Sequence, residues 1–95
     1  MSMKKAYEKK LQTQLDEWRA EIDKLKARAD AVEADTQLKY YKQVEKLCVM
    51  EVEARQKLDE LKESSDDAWE DLKAGLDSAW DALNGSIKSA ISRFK

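Results

Sequence analysis

Three columns of residues recur every eleven positions across residues 43–94, and they limit what this chain can fold into more than any other feature. Leu47, Leu58, Trp69, Trp80 and Ile91 form one column, and Met50, Leu61, Leu72, Leu83 and Phe94 form a second. Gln43, Ala54, Ser65, Leu76 and Ile87 form the third. Eleven residues make three helical turns at about 3.67 residues each, so the columns fall on one face of a nearly straight helix. That face is a seam for another helix. Little in the sequence opposes a helix, because Pro is absent and Gly occurs only at Gly75 and Gly85.

A different period governs the first third. Leu11, Leu15, Trp18, Ile22, Leu25, Ala29 and Val32 are separated alternately by four and three residues, a seven-residue repeat that implies a left-handed coiled-coil seam. Flanking charges pair along the surface as Glu21 with Lys24, Asp23 with Lys26 and Glu51 with Arg55, each contributing a few tenths of a kcal/mol. Between Val32 and Gln43 the heptad fails. With no Gly or Pro there to end a helix, residues 36–41 read as a stutter inside a continuous one. Of Tyr40 and Tyr41, one packs on the seam and the other covers its flank. In the apolar run Leu47, Cys48, Val49 and Met50, Cys48 reads as a small buried hydrophobe, with a cross-link between copies as the alternative.

Composition changes at Lys62, Glu63, Ser64, Ser65, Asp66 and Asp67. Ser64 with Asp67 three residues later fits a capping box, and the acids that follow suit the first turns of a new helix. A break or sharp bend is expected there. The last segment is strongly amphipathic, and Lys88, Arg93 and Lys95 at its end complement the helix dipole. The expected architecture is all-α. A long coiled-coil helix occupies 1–63 and a C-terminal amphipathic helix 64–95, forming one structural unit assembled as a coiled-coil or helical-bundle homo-oligomer.

Several function classes are excluded by chemistry. The chain has 95 residues, a net charge of −2 and no His, so it lacks the commonest general base and the commonest metal ligand. One cysteine makes neither a disulfide framework nor a thiolate metal site. No catalytic residue, cofactor, metal or small-molecule substrate is expected. The acidic balance argues against nucleic acid, since only Lys4, Lys5, Lys9 and Lys10 form a basic cluster and Glu8 interrupts it. There is no signal-peptide core and no apolar run of the roughly 18 to 20 residues that span a bilayer, so a cytoplasmic location is expected.

The order of certain residues is more specific than a generic coiled coil requires. Lys4, Lys5, Ala6, Tyr7 and Glu8 are followed by Leu15, Asp16, Glu17 and Trp18, then by Ile22, Asp23, Lys24, Leu25 and Lys26, and by Tyr40 and Tyr41. The block Asp67, Ala68, Trp69, Glu70, Asp71, Leu72, Lys73, Ala74, Gly75 and the ending Ser92, Arg93, Phe94, Lys95 complete the set. Over nearly its whole length the chain thereby resembles the small coiled-coil stress-response proteins of cyanobacteria and proteobacteria. The resemblance implies a non-enzymatic, cytoplasmic, helical protein linked to salt or general stress, with no catalytic residues to carry over.

The functional expectation is an oligomerisation or structural protein of a bacterial stress response. Its interface would be carried by Leu11, Leu15, Trp18, Ile22, Leu25, Leu47, Met50, Leu58, Leu61, Trp69, Leu72, Leu76, Trp80, Leu83, Ile87 and Ile91. The alternative is a protein that lays an amphipathic face on a lipid, membrane or granule surface. Asp66, Asp67, Glu70, Asp71, Asp77 and Asp81 weigh against an anionic membrane.

Overall fold

The structure, a computed structural model, describes residues 3–94. Met1, Ser2 and Lys95 lie outside the described residues, and with Lys95 goes one of the cations expected to close the last helix. Three helices follow one another: α1 (Met3–Ala31), α2 (Ala34–Glu63) and α3 (Trp69–Arg93), with no strand among the described residues.

The expectation of one helix through 3–63 is corrected here. A helix of that length is about 90 Å long at 1.5 Å per residue, whereas the whole molecule measures 51 × 19 × 18 Å. The chain turns back at Val32 and Glu33, where Glu33 is extended (φ −63°, ψ 152°) and its carbonyl accepts from the Thr36 and Gln37 amides at 3.0 and 2.8 Å. No glycine is needed, because a side chain satisfies the end of α1. Gln37 Nε2 donates to the carbonyl of Ala29 at 3.2 Å and toward that of Asp30 at 3.4 Å, meeting acceptors that a helix end leaves unpaired. Tyr41 reaches across to donate to the Asp30 carboxylate, which also holds the tyrosine's proton affinity above its ordinary value.

The second break falls where the change of composition places it. Ser64 turns extended (φ −74°, ψ 155°), and its amide and hydroxyl both donate to the Leu61 carbonyl, at 3.1 and 2.6 Å. The capping residue of the next segment is Ser65, not Ser64. Ser65 Oγ accepts from the Ala68 amide at 3.2 Å, and its carbonyl accepts from the Ala68 and Trp69 amides. Lys4 donates to the Lys62 carbonyl at 3.3 Å and to that of Ser64, putting a cation at the negative end of α2.

Up-down-up topology follows from the cross-links. The start of α1 meets the end of α2 through Lys4 and through Lys62 Nζ to Gln12 Oε1 at 3.2 Å. The start of α2 meets the end of α3 through Tyr40, whose ring stacks on Phe94 at 4.0 Å and whose hydroxyl donates to the Arg93 carbonyl at 3.3 Å. Helices α1 and α3 run parallel. Tyr7 pairs with Trp69 at 5.8 Å and Trp18 with Trp80 at 6.1 Å, so equal steps along the two helices carry one aromatic pair to the next.

The core runs the length of this bundle. Helix α1 buries Leu11, Leu15, Trp18, Ile22, Leu25 and Ala29, the heptad read from the sequence, while Val32 falls in the turn. Helix α2 buries Val44, Leu47, Glu51, Ala54, Leu58 and Leu61, at steps of three and four. That is a heptad, and it replaces the expected eleven-residue register. The columns arose because their step from Leu58 to Trp69 crosses the non-helical residues 64–68, and because Glu51 hides a core position behind a charged side chain. Glu51 is only 8% exposed, with its Oε1 held by Arg55 Nη2 at 2.5 Å. That hydrogen bond is the main cause of a raised guanidinium pKa at Arg55. Glu21 and Lys24 also pair, at 3.6 Å, whereas Asp23 and Lys26 form no ion pair among the described residues.

Gly75 and Gly85 sit inside α3 with no positive φ, and a Cβ added at either meets nothing within 4 Å. Glycine costs a helix interior about 0.5 to 1 kcal/mol relative to alanine through lost backbone entropy. Gly75→Ala and Gly85→Ala should therefore each raise stability by about that amount. Chemical denaturation checks this, and a loss on either substitution would mean that a neighbour approaches the glycine closely.

Candidate functional site

Folding back changes the role of every residue expected at an oligomer interface. Leu11, Leu15, Trp18, Ile22, Leu25, Leu47, Leu58, Leu61, Trp69, Leu76, Trp80, Leu83 and Ile87 are all buried within one chain, and Met50, Leu72 and Ile91 are partly buried against the same core. The apolar seam is covered by its own chain, so these side chains are not a free interface. The correction has a simple cause. A short turn at 32–33 brings a second helix alongside the first at a small loop-closure cost, and the apolar area it buries needs no other molecule.

Apart from Met3 at the start of α1, the large apolar side chains left exposed lie on the outer side of α2. Leu38 is 62% exposed, Val49 52% and Val52 51%, and Tyr41 and Cys48 are exposed beside them. Cys48 is thus an exposed thiol, not the buried small hydrophobe expected. Leu38, Tyr41, Glu45, Cys48 and Val52 are spaced alternately by three and four, with Val49 flanking them, so α2 carries a second heptad stripe on the face turned from the core. This spacing was present in the sequence. It is masked by the stronger inward stripe, which shares the run Leu47, Cys48, Val49 and Met50 with it.

Between α1 and α3 lies an open groove of about 440 Å3, floored by Trp18 and Trp80 and walled by polar side chains. Two features give it chemical character. At one end the Tyr7 hydroxyl donates to the Asp77 carboxylate; burial, then this hydrogen bond and the nearby charge, push the Tyr7 pKa well above its ordinary value. Lys73 Nζ lies 5.6 Å from the Tyr7 ring centroid and 6.0 Å from that of Trp69, within cation–π range. In the middle, Trp80 is 4% exposed and its Nε1–H has no acceptor among the described residues. Leaving a buried donor unmet costs roughly 1 to 3 kcal/mol.

Among the described residues no group of three or more His, Cys, Asp or Glu side chains gathers to hold a metal ion. None of the helices is long and apolar enough to cross a membrane. Compared with the models of known protein families, with curated proteins and with solved structures, the chain matches none.

Proposed function

We propose that this chain is a non-enzymatic interaction protein that works by self-assembly, with the outer face of α2 docking on the same face of a second copy. The observation that carries the reading is the exposed stripe of Leu38, Tyr41, Val49 and Val52, which together with Met3 are the large apolar residues left exposed among those described. Its three-and-four spacing suits another helix, and from residue 38 to residue 52 it runs about 21 Å. Glu45, inside the stripe, restricts the register at a cost in stability, as a charged group at a seam position does.

Two arguments favour a second copy as the occupant. On the flank of the stripe, Lys39, Lys42 and Lys46 precede Glu53 and Glu60, with Asp35 and Lys57 the exceptions, so charge changes sign along the helix. An antiparallel copy sets the basic half of one α2 against the acidic half of the other. The long side of the bundle, 51 × 19 Å, also has room for the roughly 800 Å2 per partner of a standard interface. Lipid binding through the amphipathic helices is less well supported, because the apolar face of α3 is turned into the core and must first be pulled out of it. A bacterial stress setting rests on the resemblance carried by the block at 68–75.

Val49 and Val52 are half exposed, so charging them removes little packing. Light scattering after size exclusion should give the parent twice the 11.0 kDa of one chain, and the double variant V49E/V52E a single chain's mass with unchanged helicity. A parent that stays monomeric on concentration, or a double variant that stays dimeric, would sink the reading.

A further inference from the structure

We propose that helix α3 exchanges between two copies of this chain. The hinge at 64–68 straightens, α2 and α3 become one continuous helix, and the α3 of each copy packs into the hairpin of α1 and α2 of the other. The exchange is independent of the outer face of α2, since it uses only contacts already made inside the bundle.

The sequence permits the straight form. The hinge is Ser64, Ser65, Asp66, Asp67 and Ala68, with neither Gly nor Pro to end a helix. The buried positions Ala54, Leu58 and Leu61 of α2 run on through Ser65 to Trp69, Leu72 and Leu76 of α3 at steps of three and four. A straight helix therefore presents both apolar faces on one side, the side that each must turn to a core. In the folded chain the columns of eleven are interrupted at 64–68. In the exchanged pair they are the seam of one helix over residues 34–93, about 90 Å long.

The packing of the bundle is kept. Helix α2 runs toward the hinge and α3 away from it, so the two are antiparallel. When two copies meet hinge to hinge about a two-fold axis, the α3 of one again runs antiparallel to the α2 of the other. Tyr7 with Trp69, Trp18 with Trp80 and Tyr40 with Phe94 are remade between chains, and the core contacts of α3 are recovered. What the exchange gives up is local. Ser64 Oγ leaves the Leu61 carbonyl, Ser65 Oγ leaves the Ala68 amide, and Lys4 leaves the carbonyls of Lys62 and Ser64. The short linker holds α3 beside its own hairpin at an effective concentration in the millimolar range, so the closed chain prevails in dilute solution and exchange grows with concentration.

The test refolds the full chain from urea at about 10 μM and at about 1 mM, with V49E/V52E present so that the outer face of α2 contributes nothing. Ser64→Ala with Ser65→Ala removes both hinge hydroxyls and favours helix there, and should lower the concentration for half exchange at least about tenfold. Light scattering after size exclusion should then find twice the 11.0 kDa mass after refolding at the higher concentration. That mass should persist on dilution, because α3 leaves only when the core opens. Asp66→Pro is the opposite control. The Asp66 amide enters no backbone hydrogen bond of the turn, so proline fits the folded chain but breaks the straight helix, and this variant should be monomeric at both concentrations. In dimers refolded from mixed 13C-labelled and unlabelled chains, isotope-filtered spectra should show Trp18 of one chain touching Trp80 of the other. The inference is overturned if the alanine variant is monomeric after refolding at the higher concentration, if its dimer lacks that contact between chains, or if Asp66→Pro dimerises as readily. Docking through α2 is read separately, from the chain with its hinge and outer face unaltered.

Discussion

Trp80→Ala should remove about 3 to 5 kcal/mol of stability, the usual loss for a buried aromatic truncated to a methyl group. A domain of this size has about 5 to 15 kcal/mol in total, so the variant should be poised near unfolding at room temperature. The effect is large because of where the residue sits. Trp80 is the middle of three aromatic contacts that tie α3 to the rest of the bundle, and its ring meets Trp18 at 6.1 Å with a 50° tilt. Such pairs add about 0.5 to 1.5 kcal/mol beyond the area they bury. Trp80→Phe is the informative control, since it keeps much of the ring and also removes a buried donor that has no acceptor among the described residues. It should lose clearly less than the alanine variant. Urea unfolding followed by circular dichroism measures both, and an unchanged midpoint for Trp80→Ala would refute the packing described for α3.

A chain ending at Glu63 should fail to fold cooperatively. Without α3, the hairpin of α1 and α2 loses Trp69, Leu76, Trp80, Leu83, Ile87, Ala90 and Phe94 from its core, and the faces they covered are opened to water. Each large apolar side chain fully buried contributes about 1.5 to 3 kcal/mol, so the loss is as large as the stability of a whole domain of this size. Helicity should drop and the thermal transition should broaden into a gradual slope. Only a truncated chain that melts sharply, near the parent's midpoint, would show that α3 is an appendage and not a wall of the core.

These expectations depend on which helix covers which, and that was only partly legible in the sequence. The core of α1 was readable to the residue, because Leu11 through Ala29 carry an unbroken alternation of four and three in a segment without competing stripes. The break at 64–68 was readable from its serines and acids, although the hydroxyl that caps the new segment belongs to Ser65. The turn at 32–33 was not readable. No glycine or proline marks it, and the group that makes it tolerable is the Gln37 side chain, whose role exists only once α2 has folded back beside the end of α1. In α2, the true register was concealed by Glu51, a carboxylate whose burial makes sense only beside Arg55.

The outer stripe of α2 and the groove at Trp80 belong to the same class of hidden feature. Leu38, Val49 and Val52 look like spare hydrophobes until the inward faces have been assigned, and the Trp80 N–H is unmet only because of how α1 and α3 approach.

Taken alone, the sequence determined that the chain is helical, that its helices are amphipathic, and that most of the residues named for its seam would leave water. It could not determine what would cover them. The hydrophobic effect is non-directional and scales with area removed from water, so a periodic pattern identifies a face without identifying its partner. Only the tertiary structure decided that the partner is the chain itself. A two-residue turn costs little loop-closure entropy, whereas a second molecule must give up its translational and rotational freedom. The seam therefore closes within one chain, and what remains for a partner is the far side of α2.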